Sequence, residues 1–347
     1  MLGHDEAIIK RIQDQYNFYD DEEQNEFDKY GKHEEHEESF YVEFDRDGNA
    51  IELGFNYPLE AFPEAISQLK SLRRLAFGKS EMKRLSESIG QLQNLRKLYL
   101  CYNWSLASLP DSIGHLRALE FVSLLGNNLE TLPASFGQIC ALRELDLSCN
   151  PLIALPESFG QLYMLQKLIL KLNQLSSLPD SFGDLQSLQT LVLHSTGLTM
   201  LPESIGNISA LQHLTIDTPS REPIYYNLRW QTHRKLIALP ESFGNLTSLQ
   251  YLYLVNQQLK TLPESFGNLT SLQHLHLENQ QLKTLPESLG NLRNLQYLSL
   301  RGNQLQKLPE TLLDLPNLKK IDIGENPLDP TQTILRELEE HGVQIYR

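Results

Sequence analysis

One residue position returns along this chain with a near-constant period. The residue that follows Leu or Phe and precedes Glu, Asp or Ala recurs at Pro63, Ser86, Pro110, Pro133, Pro156, Pro179, Pro202, Pro240, Pro263, Pro286 and Pro309, in steps of 23, 24, 23, 23, 23, 23, 38, 23, 23 and 23. A unit this short cannot bury an apolar face alone, so its leucines must be covered by the units before and after it. A length of 347 residues would otherwise suggest two globular domains. The period overrides that expectation and predicts one stack of coils.

Each period carries a strand-like L-x-x-L-x-L, as in Leu145-Asp146-Leu147, then a polar residue three positions after the last Leu. That column reads Asn56, Ser80, Asn103, Asn127, Asn150, Asn173, Thr196, Pro219, Gln257, Gln280, Asn303 and Asn326, and only Pro219 cannot hydrogen-bond through its side chain. Inward-pointing backbone groups cannot be left bare, so the column is expected to satisfy the turn of a neighbouring coil. The pattern L-x-x-L-x-L-x-x-N-x-L-x-x-L-P-x-S-[IF]-G-x-L over residues 50–327 resembles the leucine-rich repeat family. Its return segment is similar to that of the Ras-linked intracellular group of plants and animals, and to that of bacterial repeat proteins, some of them effectors. The resemblance implies an α/β solenoid. It would be a horseshoe with a parallel sheet on the concave side, short irregular or helical convex segments, and no catalytic centre of its own.

An open stack needs covers at both ends. Phe40–Phe44, Asp47-Gly48 and Ala50–Leu53 alternate around a turn signal and predict a β-hairpin. At the other end, a helix starting at Asp329-Pro330 would bury Ile334, Leu335 and Leu338 and stop at Gly342, and Val343–Tyr346 would add a last strand. Ile8, Ile12, Tyr16 and Tyr19 stand at helical spacing in residues 5–19, while Asp20–Glu38 holds ten acids against Lys29 and Lys32 and reads as a solvated charge run. The expected organisation is therefore 1–38 helix and acidic segment, 39–58 hairpin cap, 59–327 repeats with an insertion at 220–235, and 328–347 C-terminal cap.

Charge and composition exclude several function classes. The formal charge is −14, and residues 1–47 alone hold 16 acids and 5 bases. Phosphate contacts need a basic footprint, so nucleic acid is not an expected partner. Neither a long apolar run nor a basic, apolar leader occurs, so no membrane span or signal peptide is expected. Cys101, Cys140 and Cys149 have no disulfide or zinc spacing, which fits a reducing, cytoplasmic setting; export of an effector without a classical leader is the alternative.

The histidines of His33-Glu34-Glu35-His36 are three apart, where the helical zinc-protease motif needs four. Cys101 is expected on the outward face of its strand as a surface thiol with no histidine beside it. There is no phosphate loop either. No enzyme activity, metal or cofactor is expected.

The register also says which residues are free to bind. Tyr251, Tyr253, His274, His276 and Tyr297 fall on three consecutive strands and one face. Rings with polar tips are the material of interaction hot spots, although Tyr and His are also simply good strand residues. The single 38-residue period places Arg221, Tyr225, Tyr226, Arg229 and Trp230 in a loop that leaves directly after the preceding strand. A long aromatic insertion in a strict repeat points to a binding element. Phe121, Leu125, Ile169, Leu172 and Val192 form a second, weaker apolar set. His274, His276 and His213 would hold a metal only if the insertion did not part them, and their near-neutral titration allows pH-dependent binding.

The function expected is non-catalytic recognition of a protein or peptide, with Tyr225, Tyr226, Trp230, Tyr251, Tyr253, His274, His276 and Tyr297 as contact residues and the oligomeric state open. The alternative is the substrate-recognition part of an enzyme system, such as a bacterial effector ubiquitin ligase whose catalytic domain lies elsewhere. A small-GTPase partner is permitted by the resemblance, but no residue demonstrates it.

Overall fold

The computed structural model describes residues 3–16, 39–218 and 234–347. The chain divides into two compact units, Met1–Leu165 and Gln166–Arg347. The first holds β1 (Ser39–Phe44), β2 (Ala50–Asn56), β3 (Arg74–Gly78), β4 (Lys97–Cys101), β5 (Phe121–Ser123) and β6 (Glu144–Asp146). The second holds β7 (Lys167–Ile169), β8 (Thr190–His194), β9 (His213–Asp217), β10 (Tyr251–Val255), β11 (His274–His276), β12 (Tyr297–Ser299), β13 (Lys320–Asp322) and β14 (Gln344–Tyr346). Within each unit, strands pair with their sequence neighbours in parallel, apart from the antiparallel β1–β2 hairpin. This is the leucine-rich repeat architecture that the period predicts.

The coil follows from its residues. Alternation in Glu144-Leu145-Asp146 turns Leu145 into the core and its neighbours outward. Proline then leads a 3-10 turn: Pro156 sits extended at φ −69°, ψ 151° ahead of Glu157–Gln161, and the Leu162 N–H closes onto the Phe159 carbonyl. Phe159 and Gly160 of that turn are buried. The glycine column answers to crowding rather than to backbone angle. A Cβ on Gly137 would stand 2.1 Å from the Ser158 carbonyl oxygen of the next coil. Coils approach too closely there for any side chain.

The polar column does what backbone bookkeeping requires. Asn303 Oδ1 accepts from the Leu282 N–H at 3.2 Å, while its Nδ2 donates to the Leu277 and Leu300 carbonyls at 2.8 Å each. Asn103 joins the Ser80 N–H to the Phe77 carbonyl in the same way, and Gln257 and Gln280 serve where the column changes residue. One position ahead, the chain turns through left-handed backbone at Lys79, Tyr102, Cys149, Leu172, Ser195, Asn256, Asn279 and Glu325, with glycine there only at Gly126 and Gly302.

The ends are covered as follows. The β1–β2 turn is held by Asp45, whose Oδ1 accepts from the N–H groups of Asp47 and Asn49 at 2.9 Å. Helix α1 (His4–Tyr16) buries Ile8, Ile9 and Ile12, and Asp5 Oδ2 accepts from the Ala50 N–H at 3.0 Å, tying the helix to β2. Tyr19 and the Asp20–Glu38 run, including His33 and His36, lie outside the described residues. Helix α2 runs Thr333–Glu340, later than the expected Asp329-Pro330 start. Asp329 instead folds a local turn, its Oδ1 accepting from the Thr331 N–H at 2.8 Å and hydroxyl at 2.6 Å. That turn uses up the cap before the helix can begin. Gly342 ends it at φ +83°, and β14 pairs with β13.

Candidate binding face

The expected surface position of Cys101 is corrected by the structure: the residue is buried at 3% exposure. It packs with Ala76 and Tyr99 under Tyr102, Phe121 and Leu125, and its Sγ lies 3.3 Å from Ser123 Oγ. An outward strand position is covered here by neighbouring rings. Tyr99 is flanked by Phe121 at 4.9 Å between ring centres and by the Arg74 guanidinium at 4.9 Å. In the second unit, Ile169, Leu172 and Val192 stand on β7, β8 and the turn between them. Each unit thus carries part of the apolar set.

In the second unit, pairing in register sets His213, Tyr251, His274 and Tyr297 side by side on β9 to β12. Their rings form a ladder. His213 and Tyr251 stack at 4.7 Å and 6°, Tyr251 and His274 at 4.9 Å and 8°, and His274 and Tyr297 at 6.3 Å and 29°. Two residues along each strand a second, shorter stack joins Tyr253 to His276 at 4.2 Å and 15°. Tyr297 leans across to His276 at 4.9 Å, and Ser299 beside it is buried. Parallel strands about 4.8 Å apart suit face-to-face rings, so the rings use their faces on each other and present hydroxyl and imidazole edges outward.

Sequence reasoning missed the acidic and amide residues bordering these stacks. Glu278 Oε1 lies 2.8 Å from His276 Nδ1. Burial pushes the Glu278 carboxyl up, but the hydrogen bond and charge of His276 leave it below its ordinary value. His274 is held below the usual imidazole value by burial and by the charge of His276. Asn279 Nδ2 donates to Asn256 Oδ1 at 2.9 Å, and Asn256 Nδ2 donates to Asp217 Oδ1 at 3.1 Å. The signal was available for Asp217 and Glu278, which continue the outward alternation of their strands, whereas Asn256 and Asn279 stand at the left-handed turn position one residue ahead of the polar column.

Tyr251, Tyr253, His274, His276 and Tyr297 are all at least partly open to solvent; Tyr251, His274 and Tyr297 share the ladder with His213, and Tyr253 and His276 form the shorter stack. Tyr225, Tyr226 and Trp230 lie outside the described residues. Among the described residues no cluster of three or more His, Cys, Asp or Glu is poised to hold a metal, and no helix is long and apolar enough to cross a membrane.

The chain belongs to the leucine-rich repeat family. A leucine rich repeat model matches residues 140–198 and 239–282, and a two-copy leucine rich repeat model matches 293–336. A leucine-rich repeat protein of Leptospira interrogans is 31% identical over 84% of this chain and 82% of that one, with a TM-score of 0.54. The plant peptide hormone receptor RGFR1, solved in complex with RGF2, is 25% identical over 77% of this chain, with a TM-score of 0.58; the match spans 46% of the receptor. An internalin of Listeria monocytogenes, at 17% identity over 85% of this chain and 86% of its own and a TM-score of 0.54, shares the fold. No curated protein sequence matches the chain.

Proposed function

We propose that this protein is a non-catalytic recognition module that binds a protein or peptide on the sheet face of its second unit, around Tyr251, Tyr253, His274, His276 and Tyr297 and the insertion carrying Tyr225, Tyr226 and Trp230. The ring ladder carries the reading. It concentrates amphipathic side chains, pre-stacked and low in rotamer freedom, on a face that the repeat itself does not need for its core. Leucine-rich repeats serve as interaction modules, and the similar plant receptor was solved with RGF2 bound. Three free cysteines accord with a reducing, cytoplasmic setting.

The test is site-specific photocrosslinking in cells of the source organism. A photoreactive phenylalanine analogue at Tyr253 or Tyr297 should give discrete adducts that Tyr251→Ala removes. The same analogue at Glu264, on the return side of a coil, should give none. Adducts of equal yield from both sides, or none from the ring face, would reject the assignment.

A further inference from the structure

The shorter ring stack is closed at one end and open at the other. At the closed end Tyr297 leans against His276 at 4.9 Å, and Ser299 of the same strand is buried. At the open end, one face of the Tyr253 ring is occupied by His276 at 4.2 Å, and opposite its other face the register places Thr215 of β9. Threonine is too short to cover a phenol ring. Tyr253 is accordingly 36% exposed, and no ring or cation is stacked on that second face among the described residues. One strand further, Val192 of β8 stands opposite Thr215. Strands about 4.8 Å apart leave room above Thr215 for one flat group lying on Tyr253.

The rim of this slot is acidic. Asp217 follows Thr215 by two residues and faces the same way. Its side chain is 27% exposed, with Oδ1 accepting from Asn256 Nδ2 at 3.1 Å and Oδ2 3.7 Å from His194 Nδ1. No lysine or arginine occurs in β8, β9 or β10. A π-face and a carboxylate therefore border one short side chain, with no lysine or arginine in those strands.

We infer that the slot above Thr215 receives an arginine side chain of the bound peptide or protein, its guanidinium flat on Tyr253 and its N–H groups directed at Asp217. A planar, delocalised cation satisfies both walls. An ammonium would pair with Asp217 but leave the ring face bare, and an aromatic ring would cover Tyr253 but bring no donor to the exposed part of Asp217. The inference rests on the proposal that this face binds a partner, and it names the chemistry of that partner.

Random peptides displayed on phage and selected against the full chain separate the two. The expected result is peptides whose binding is lost on Tyr251→Ala and which share one fixed arginine. In a synthetic copy of such a peptide, replacing that arginine by citrulline, which keeps the shape and removes the charge, should weaken binding roughly tenfold by calorimetry, and lysine nearly as much. Asp217→Asn should bring the arginine and citrulline peptides to within about twofold of each other, and Tyr253→Leu should cost the arginine peptide roughly fivefold. Both variants should melt as the parent chain does, which separates loss of the slot from loss of the fold. Peptides that need Tyr251 but show no arginine, that prefer Phe or Trp, or that bind equally as citrulline would overturn this inference and leave the recognition face standing. Self-association that Asp217→Asn abolishes would mean a second copy fills the slot, and would also overturn it. Selection that yields no peptide sensitive to Tyr251→Ala would remove both.

Discussion

Replacing Asn303 probes the bond that joins one coil to the next. In the Asn303→Ala protein the Leu282 N–H and the Leu277 carbonyl, which Asn303 now holds at 3.2 and 2.8 Å, are left buried without partners. The Leu300 carbonyl keeps the Asn326 amide at 2.9 Å, so it is not stranded. Each stranded group costs about 1–3 kcal/mol, giving a loss of about 2–6 kcal/mol for the two. For a cooperative unit of this size that corresponds to a fall in Tm on the order of 10 °C, read by circular dichroism or as a lower urea midpoint at unchanged slope. Asn303→Asp adds a pH signature. Its carboxylate keeps an acceptor for Leu282 but turns its second oxygen toward two carbonyls, so burial and those dipoles raise its folded pKa above the unfolded value of about 3.9. The folded state then binds more protons than the unfolded one, and stability falls as pH rises from about 4 through the folded pKa. The deficit relative to the parent should be smallest near pH 4 and largest near pH 7. An Asn303→Ala protein within about 0.5 kcal/mol of the parent, or an Asn303→Asp deficit independent of pH, would refute the assignment of the column as obligatory backbone partner.

Three further outcomes are expected. Gly137→Ala should cost at least about 1–3 kcal/mol in urea melts, because the new methyl meets the backbone oxygen of Ser158 and one coil must shift against the next. Glu278→Gln should destabilise the protein near neutral pH. The Glu278 carboxyl titrates below its ordinary value, so its contribution is present above about pH 4.3 and is lost as pH falls through the folded value, and the two melting curves should converge in acid. Equal gaps at pH 3 and pH 7 would contradict this. A thiol reagent should label partly open Cys140 promptly, while buried Cys101 and Cys149 react only on unfolding; three equally fast thiols would contradict the burial described.

The coil was legible because its cause is periodic: leucine at two positions of each strand, proline before each 3-10 turn, a hydrogen-bonding residue after each strand. The same register placed Tyr251, Tyr253, His274, His276 and Tyr297 on one face, since alternation decides direction. It did not give Cys101 its burial, because cover there is assembled from Tyr99 and Tyr102 of its own coil together with Ala76, Phe121 and Leu125 of the coils on either side, and alternation along one strand does not report that packing. In the same region Tyr41 lies across Gly54, a contact set by the absence of a side chain on β2. Stacking within the ladder was equally out of reach: sequence places His213 beside Tyr251, but ring planes depend on rotamers chosen jointly. The α2 start was misplaced because Asp329 can cap a helix or a local turn, and Thr331 decides for the turn.

Strands β9 and β10 remain paired residue for residue, His213 with Tyr251 through Asp217 with Val255, although the stretch joining them is longer than any other by two thirds of a period. The scaffold and that excursion can therefore change independently. Lengthening, shortening or rewriting residues 220–233 asks no leucine of the described coils to move, so this junction can accept exchange of one segment, by engineering or by descent, while the paired strands on either side stay as they are.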